Sequence, residues 1–73
     1  MHRYEFDLSI SPEEFLDYYR GTARTVVARS HSGQTVQFPA ALLRRFIQPN
    51  GIQGTFVLTC DANHRNPVLE KID

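Results

Sequence analysis

Arginine is the residue type in this sequence with the clearest chemical potential, because its planar guanidinium can hold a carboxylate or a phosphate through two hydrogen bonds. Residues 20–60 contain five arginines and no acid, whereas residues 1–19 contain one arginine and five acids. We therefore predict a basic binding surface, with tyrosines at 18 and 19 able to stack on a partner. Its members are Arg20, Arg24, Arg29, Arg44 and Arg45. The alternative is that the acidic N-terminal part lies against this basic segment in the fold.

Histidine and cysteine are too scattered along the chain to predict a metal site. His2, His31 and His64 lie near a terminus or in turns, and Cys60 is the only cysteine. A zinc site needs several converging ligands, and a thiol on the apolar side of a strand is typical of a core residue. The run Ser30–Ser32 has turn chemistry rather than the oriented geometry of a catalytic triad. We predict no metal, no cofactor and no catalytic residue.

The acidic residues also predict structure rather than catalysis. Glu13 and Glu14 are placed to stabilise a helix N-terminus. The segment Asp61–Asn66 begins like a calcium loop, but its sixth position is not glycine and its twelfth, Ile72, is not glutamate. We interpret it as a polar turn. Because 73 residues leave little room for a cleft beside the core, we expect a protein that is not an enzyme.

The hydrophobic pattern predicts a single α+β domain over residues 1–73, in the order β-α-β-β-α-β-β. Apolar and polar residues alternate with the period of a half-buried strand in segments 4–10 and 52–60. Segments 22–29 and 34–38 predict a hairpin, and 68–72 a last strand. We expect mainly antiparallel pairing in a sheet of about five strands, with two short helices.

The first helix has a complete start signal. Ser11 is the N-cap, Pro12 occupies the first helical position, and Glu14 is spaced for a capping box. The buried face is predicted to consist of Phe15, Leu16 and Tyr19. A second α-helix is predicted over 39–47, with an apolar stripe of Pro39, Leu42, Leu43, Phe46 and Ile47. The predicted core is led by Phe6, Leu8, Phe15, Leu16, Leu42, Phe46, Phe56 and Leu58.

Two glycines carry specific expectations. Gly33 is expected to adopt a positive φ in the hairpin turn, and Gly54, inside a strand, to mark a bulge or a close backbone approach. If residue 29 pairs with residue 34, Val27 faces Val36 and Thr25 faces Phe38. Val26 and Ala28 would then form a second apolar face that can support a homodimer, the alternative to a monomer.

Several segments together resemble a known family. They are Tyr4–Leu8, Tyr18–Gly21, Gln37–Phe46, Gly51–Phe56 and Leu69–Ile72. Over nearly the whole chain the sequence resembles the proteobacterial domain of unknown function family 2835, a family of short proteins. The resemblance implies a bacterial stand-alone protein of this length, and it transfers no catalytic or binding residue.

The function that remains is a non-enzymatic binding or regulatory module whose arginine-bearing surface meets a partner, most readily another protein. The first alternative is binding of RNA or single-stranded DNA, although the net charge of zero does not favour it. The second is binding of a small anionic nucleotide. We expect a cytoplasmic protein, because residues 1–7 are not followed by the apolar segment of a signal peptide and no membrane helix is present.

Overall fold

A computed structural model describes residues 1–73 and confirms the predicted α+β class and element order. The second helix is the only element of a different type, a 3-10 helix instead of an α-helix. The elements are β1 (His2–Ile10), α1 (Pro12–Tyr19), β2 (Thr25–Arg29), β3 (Thr35–Pro39), the 3-10 helix (Ala40–Phe46), β4 (Ile52–Cys60) and β5 (Val68–Lys71). Neither helix is long and apolar enough to cross a bilayer.

The five strands pair antiparallel throughout but divide between two sheets. The larger sheet has the order β1-β4-β5, and β2 and β3 form a separate hairpin. β1 and β4 pair along their whole length, from His2 opposite Cys60 to Ile10 opposite Ile52. The predicted alternation is confirmed in β1, whereas in β4 Val57, predicted on the polar face, is also buried. Phe6 lies directly opposite Phe56 with both side chains fully buried.

Helix α1 begins as predicted, but it buries a different face. The Ser11 hydroxyl accepts a hydrogen bond from the Glu14 N–H at 3.1 Å, and the Glu14 carboxylate accepts one from the Ser11 N–H at 3.2 Å. Phe15 is buried and Tyr18 packs against the core, whereas Leu16 is 41% exposed and Tyr19 62% exposed. The placement of Leu16 and Tyr19 in the core is therefore wrong. A helix of eight residues contacts the core through a narrow stripe of side chains. Here the stripe consists of Phe15 and Tyr18, which are three residues apart and therefore lie on the same side of the helix.

The predicted hairpin register is wrong by one residue. Val26 lies opposite Phe38 and Ala28 opposite Val36, so these residues face the core while Val27 points outward. The cause is the turn between the strands. Its closing hydrogen bond runs from the Ser30 N–H to the Gln34 carbonyl at 2.8 Å, so three residues, 31–33, form the turn and residue 30 is paired with residue 34. Gly33 closes that turn at the expected positive φ of 88°. Because side chains alternate along a strand, a one-residue shift exchanges the two faces.

Consequently, the second apolar face that was expected to support a homodimer does not exist. Val26 and Ala28 are the core face of the hairpin, and the opposite face consists mainly of polar and charged side chains.

The second helix runs from Ala40 to Phe46 as a 3-10 helix without a side-chain cap at Pro39. Ala40 and Leu43 are buried and Phe46 is half-buried, which is a repeat of three residues. A 3-10 helix has three residues per turn, so this repeat lies on one face. Ile47, predicted to belong to the apolar stripe, is exposed.

The core fills the space between the larger sheet, the hairpin and the two helices. Phe6 stacks on Phe38 at 5.6 Å between ring centroids, and Phe46 meets Phe56 edge-on at 5.3 Å. Of the predicted core, Phe6, Phe15, Phe56 and Leu58 are buried; Leu8, Leu42 and Phe46 are half-buried against them. Cys60 is buried, as expected.

Gly54 confirms the expected close backbone approach within β4. Its φ is 139°, and a β-carbon at this position would lie 2.5 Å from the backbone oxygen of Asp73. The adjacent Thr55 N–H donates to that same oxygen at 3.3 Å. Glycine is therefore required here by both conformation and space.

Candidate binding surfaces

The structure leaves all five predicted arginines exposed and without a carboxylate partner. The arginine–carboxylate ion pair of the protein is Arg3 with Glu5 at 2.7 Å, and the His31 ring lies 3.3 Å from the Asp7 carboxylate and 4.0 Å from that of Glu5. The acidic helix α1 packs against the 3-10 helix that carries Arg44 and Arg45, as the alternative expected, but none of its carboxylates lies within ion-pair distance of an arginine. Their guanidinium groups keep their hydrogen-bonding capacity for a partner.

One arginine lies over an exposed aromatic ring, and a second follows that aromatic residue in the chain. The Arg44 guanidinium carbon lies 5.5 Å from the centroid of the Tyr19 ring, a cation–π geometry. Arg20 follows Tyr19 directly, and its N–H donates to the Leu16 carbonyl at 2.8 Å. Leu16 and Tyr19 are exposed one helical turn apart. We call these four residues, Leu16, Tyr19, Arg20 and Arg44, the Tyr19 patch.

The other predicted arginines are placed less uniformly. The carbonyl of Arg24 accepts a hydrogen bond from the Ala40 N–H at 2.8 Å, which puts Arg24 beside the start of the helix that carries Arg44 and Arg45. Arg45 packs over the ring of Phe46 at 5.5 Å. Arg29 lies at the opposite end of β2, about 16 Å from Arg24 at about 3.3 Å per residue of strand.

A second feature is a cavity of about 430 Å³ between the hairpin and the larger sheet. One wall is formed by Thr35, Val36, Gln37 and Pro39 of β3, and the other includes Tyr4, Leu58 and Cys60 with His64 and Pro67 from the loop before β5. We call it the edge cavity. Its volume lies within the range of small-molecule sites, and it is open to solvent along the exposed residues of β3.

Two histidines that are distant in sequence meet at the edge cavity. His2 and His64 stack at 3.9 Å between ring centroids, and the Tyr4 hydroxyl lies 3.3 Å from Nε2 of His64. The interpretation of the histidines as separate is corrected for this pair, whereas His31 lies apart beside Asp7. The antiparallel pairing that sets His2 opposite Cys60 explains the meeting, because it brings the following loop over the start of β1. No three histidine, cysteine, aspartate or glutamate side chains converge as a metal site.

Two exposed carboxylates have lowered pKa values that reflect structural roles. The pKa of Asp7 is lowered by the Thr55 hydroxyl, which donates at 2.7 Å, and by His31 at 3.3 Å. The pKa of Asp61 is lowered first by the Arg65 N–H at 2.8 Å and also by the Asn63 N–H at 2.9 Å. Because backbone N–H groups occupy the Asp61 carboxylate, this segment is a capped polar loop, as its departures from the calcium pattern indicate.

The fold and these surfaces define a small α+β protein with an exposed basic–aromatic patch and a cavity beside a sheet edge. The chain belongs to the family described as a protein of unknown function, DUF2835, whose family model matches residues 2–72, essentially the whole chain. The resemblance seen in the sequence is thereby confirmed. No curated protein and no solved structure matches the chain significantly.

Proposed function

We propose that this protein is a non-enzymatic binding module whose Tyr19 patch, flanked by Arg24 and Arg45, binds an acidic segment of another protein. The observation that carries the proposal is the position of Arg44 over the exposed Tyr19 ring, with no carboxylate within ion-pair distance of its guanidinium. A buried arginine–tyrosine pair would have an evident structural role. Here Tyr19 as a residue is 62% exposed, so the pair presents both an apolar plane and a charge to solvent.

The composition of the Tyr19 patch favours a protein partner. Tyrosine and arginine are enriched among the residues that dominate binding energy at protein interfaces, because each offers a large contact area together with directional hydrogen bonds. Leu16 adds an apolar contact beside the ring. The guanidinium groups of Arg20 and Arg44 suit carboxylates, which they can bind in bidentate fashion.

RNA or single-stranded DNA is the second candidate, and the exposed Tyr19 ring is the observation in its favour. A base can stack on such a ring while arginines contact the phosphates. The exposed acids Glu13, Glu14 and Asp17 on the same helix oppose a polyanion with a charge at every nucleotide more than a short segment with a few carboxylates, which makes this candidate weaker. An arginine-held nucleotide has less support, because none of the five arginines lines the edge cavity.

The proposal is tested by charge reversal within the Tyr19 patch and away from it. Wild type, Arg44→Glu, Tyr19→Ala and the control Lys71→Glu, which reverses an exposed charge on β5 away from both candidate surfaces, are immobilised and exposed to cell extract with and without ribonuclease, and recovered proteins are quantified. We expect an acidic protein that is retained by wild type and by Lys71→Glu and lost from Arg44→Glu and from Tyr19→Ala. Recovery of the same proteins by all four would overturn the proposal.

The nucleic-acid candidate is separated by a direct measurement. Fluorescence anisotropy with a mixed-sequence single-stranded RNA is recorded at about 50 mM and about 200 mM salt, since binding to phosphates weakens steeply with salt. Salt-sensitive RNA binding that requires Tyr19 and Arg44, together with partners lost after ribonuclease, would assign the patch to RNA instead of protein.

A further inference from the structure

Strand β3 has one edge that no other strand covers. Two hydrogen bonds of the hairpin show which backbone groups of β3 lie on that edge. β3 pairs only with β2. The Ser30 N–H donates to the Gln34 carbonyl, and the Ala40 N–H donates to the Arg24 carbonyl. The backbone N–H and carbonyl groups of even-numbered hairpin residues are therefore directed toward the partner strand. Those of the odd-numbered residues Thr35 and Gln37 are directed away from β2. Their backbone N–H and carbonyl groups have no intramolecular partner.

The edge cavity runs along these same residues. Thr35, Val36, Gln37 and Pro39 form one of its walls. The opposite wall includes Leu58 and Pro67, which are apolar residues, and Tyr4. Unpaired backbone N–H and carbonyl groups of β3 thus lie beside a space large enough for a bulky side chain.

We propose that the β3 edge and the edge cavity bind an extended peptide segment of another protein, which adds a strand to the hairpin and places one apolar side chain in the cavity. Strand addition of this kind obtains affinity from main-chain hydrogen bonds and specificity from a pocket for alternate side chains. This site is separate from the Tyr19 patch, since it shares no residue with it.

The charges around the site indicate a peptide with acidic residues beside its apolar one. No acid lines the edge cavity, so its walls do not repel a carboxylate. Arg29 lies directly opposite Thr35 on the same face of the hairpin and has no carboxylate partner. A carboxylate flanking the inserted side chain would meet Arg29.

A peptide fits the site better than a second copy of the protein. In a second copy, β3 would carry its own core on one face, because Val36 and Phe38 are buried. Such a strand has no side chain free to enter the cavity. An isolated peptide presents side chains on both faces, and one of these can fill the cavity while the backbone pairs with β3.

The test uses displayed random peptides of about twelve residues, selected on the wild-type protein, and one substitution that alters only the edge. Gln37→Pro removes the outward N–H while leaving the hydrogen bonds to β2 intact, and Pro39 already occupies an equivalent position. Gln37→Thr is the matched control, because it changes the side chain and keeps the N–H.

We expect selection of peptides with an apolar residue flanked by acids. An enriched peptide should shift the amide NMR signals of Thr35 and Gln37. It should bind Gln37→Pro about tenfold more weakly than wild type or Gln37→Thr, as for loss of a main-chain hydrogen bond. Binding to Arg44→Glu should be unchanged. The same loss should follow when the peptide is N-methylated at alternate residues, a measurement that leaves the protein unaltered.

Three results of the binding experiments would overturn the proposal. They are the absence of any enriched sequence, equal binding to Gln37→Pro and wild type with no effect of N-methylation, and binding that is lost in Arg44→Glu. The oligomeric state is measured by size-exclusion chromatography with light scattering. If wild type is a dimer and Gln37→Pro is a monomer, the β3 edge binds a second copy of the protein instead of a peptide. Failure of the Tyr19 patch to bind a protein would leave these outcomes untouched.

Discussion

The hairpin register is the feature of this fold most directly open to a quantitative test, because two adjacent valines exchange roles between the two registers. Val26 is 2% exposed and Val27 is 60% exposed. Truncating Val26 to alanine removes about two buried methyl-sized groups, about 1.6 kcal/mol at about 0.8 kcal/mol each. The cavity left behind adds about 1 kcal/mol. We therefore expect Val26→Ala to lower the free energy of unfolding by about 2–3 kcal/mol.

Val27→Ala is the matched control, since it makes the same change of side chain in the same strand, and the β-propensity cost is therefore similar. With most of its side chain in water, its expected cost is about 0.6 kcal/mol in buried area. At about 4–8 °C per kcal/mol for a domain of this size, Tm should fall by about 10–20 °C for Val26→Ala and by under about 5 °C for Val27→Ala. Urea denaturation with a common m-value gives the free energies. An equal or larger cost at Val27 would refute the register and restore the pairing of residue 29 with residue 34.

Two further predictions concern a helix cap and a loop. Ser11→Ala should lower the free energy of unfolding by about 1 kcal/mol, because the Glu14 N–H loses its acceptor; Ser11→Asp should retain most of the stability, and equal thermal melts for the two variants would contradict the cap. Asp61→Ala should lower Tm at about pH 6, because the Asn63 and Arg65 N–H groups lose their acceptor. Because the pKa of Asp61 is lower in the folded protein than its ordinary value of 3.8, the ionised carboxylate stabilises the fold above pH 3.8. This stabilisation is lost as the pH falls through the pKa of the folded state. The difference in Tm between wild type and Asp61→Ala should therefore narrow at about pH 2. A gap of the same size at both pH values would contradict that role.

The residue types alone predicted part of each candidate site but not how its residues come together. Exposed arginines were predictable, because arginine is seldom buried without a partner. The meeting of Arg44 with Tyr19 was not, because it depends on how the 3-10 helix packs beside α1. The edge cavity had no sequence signal of its own, since it lies between a hairpin and a sheet that are far apart along the chain. The contact of His2 with His64 required the β1–β4 register to be known.

The sequence by itself determined the elements whose signals are local. The alternation in β1 and β4, the capping box of Ser11 and Glu14 and the glycine turn at Gly33 each depend on residues within a few positions of one another. They predicted an α+β fold in the right order because each element expresses its own periodicity or cap.

Only the tertiary structure decided which face of each short element is buried. Helix α1 has apolar residues at 15, 16, 18 and 19, so its own pattern leaves the buried line undecided. The hairpin has apolar residues on both faces, so its register rests on one turn and on the fit of Val26 and Phe38 against Phe6. Elements of five to eight residues are too short to choose a face alone, and that choice is made where they pack together.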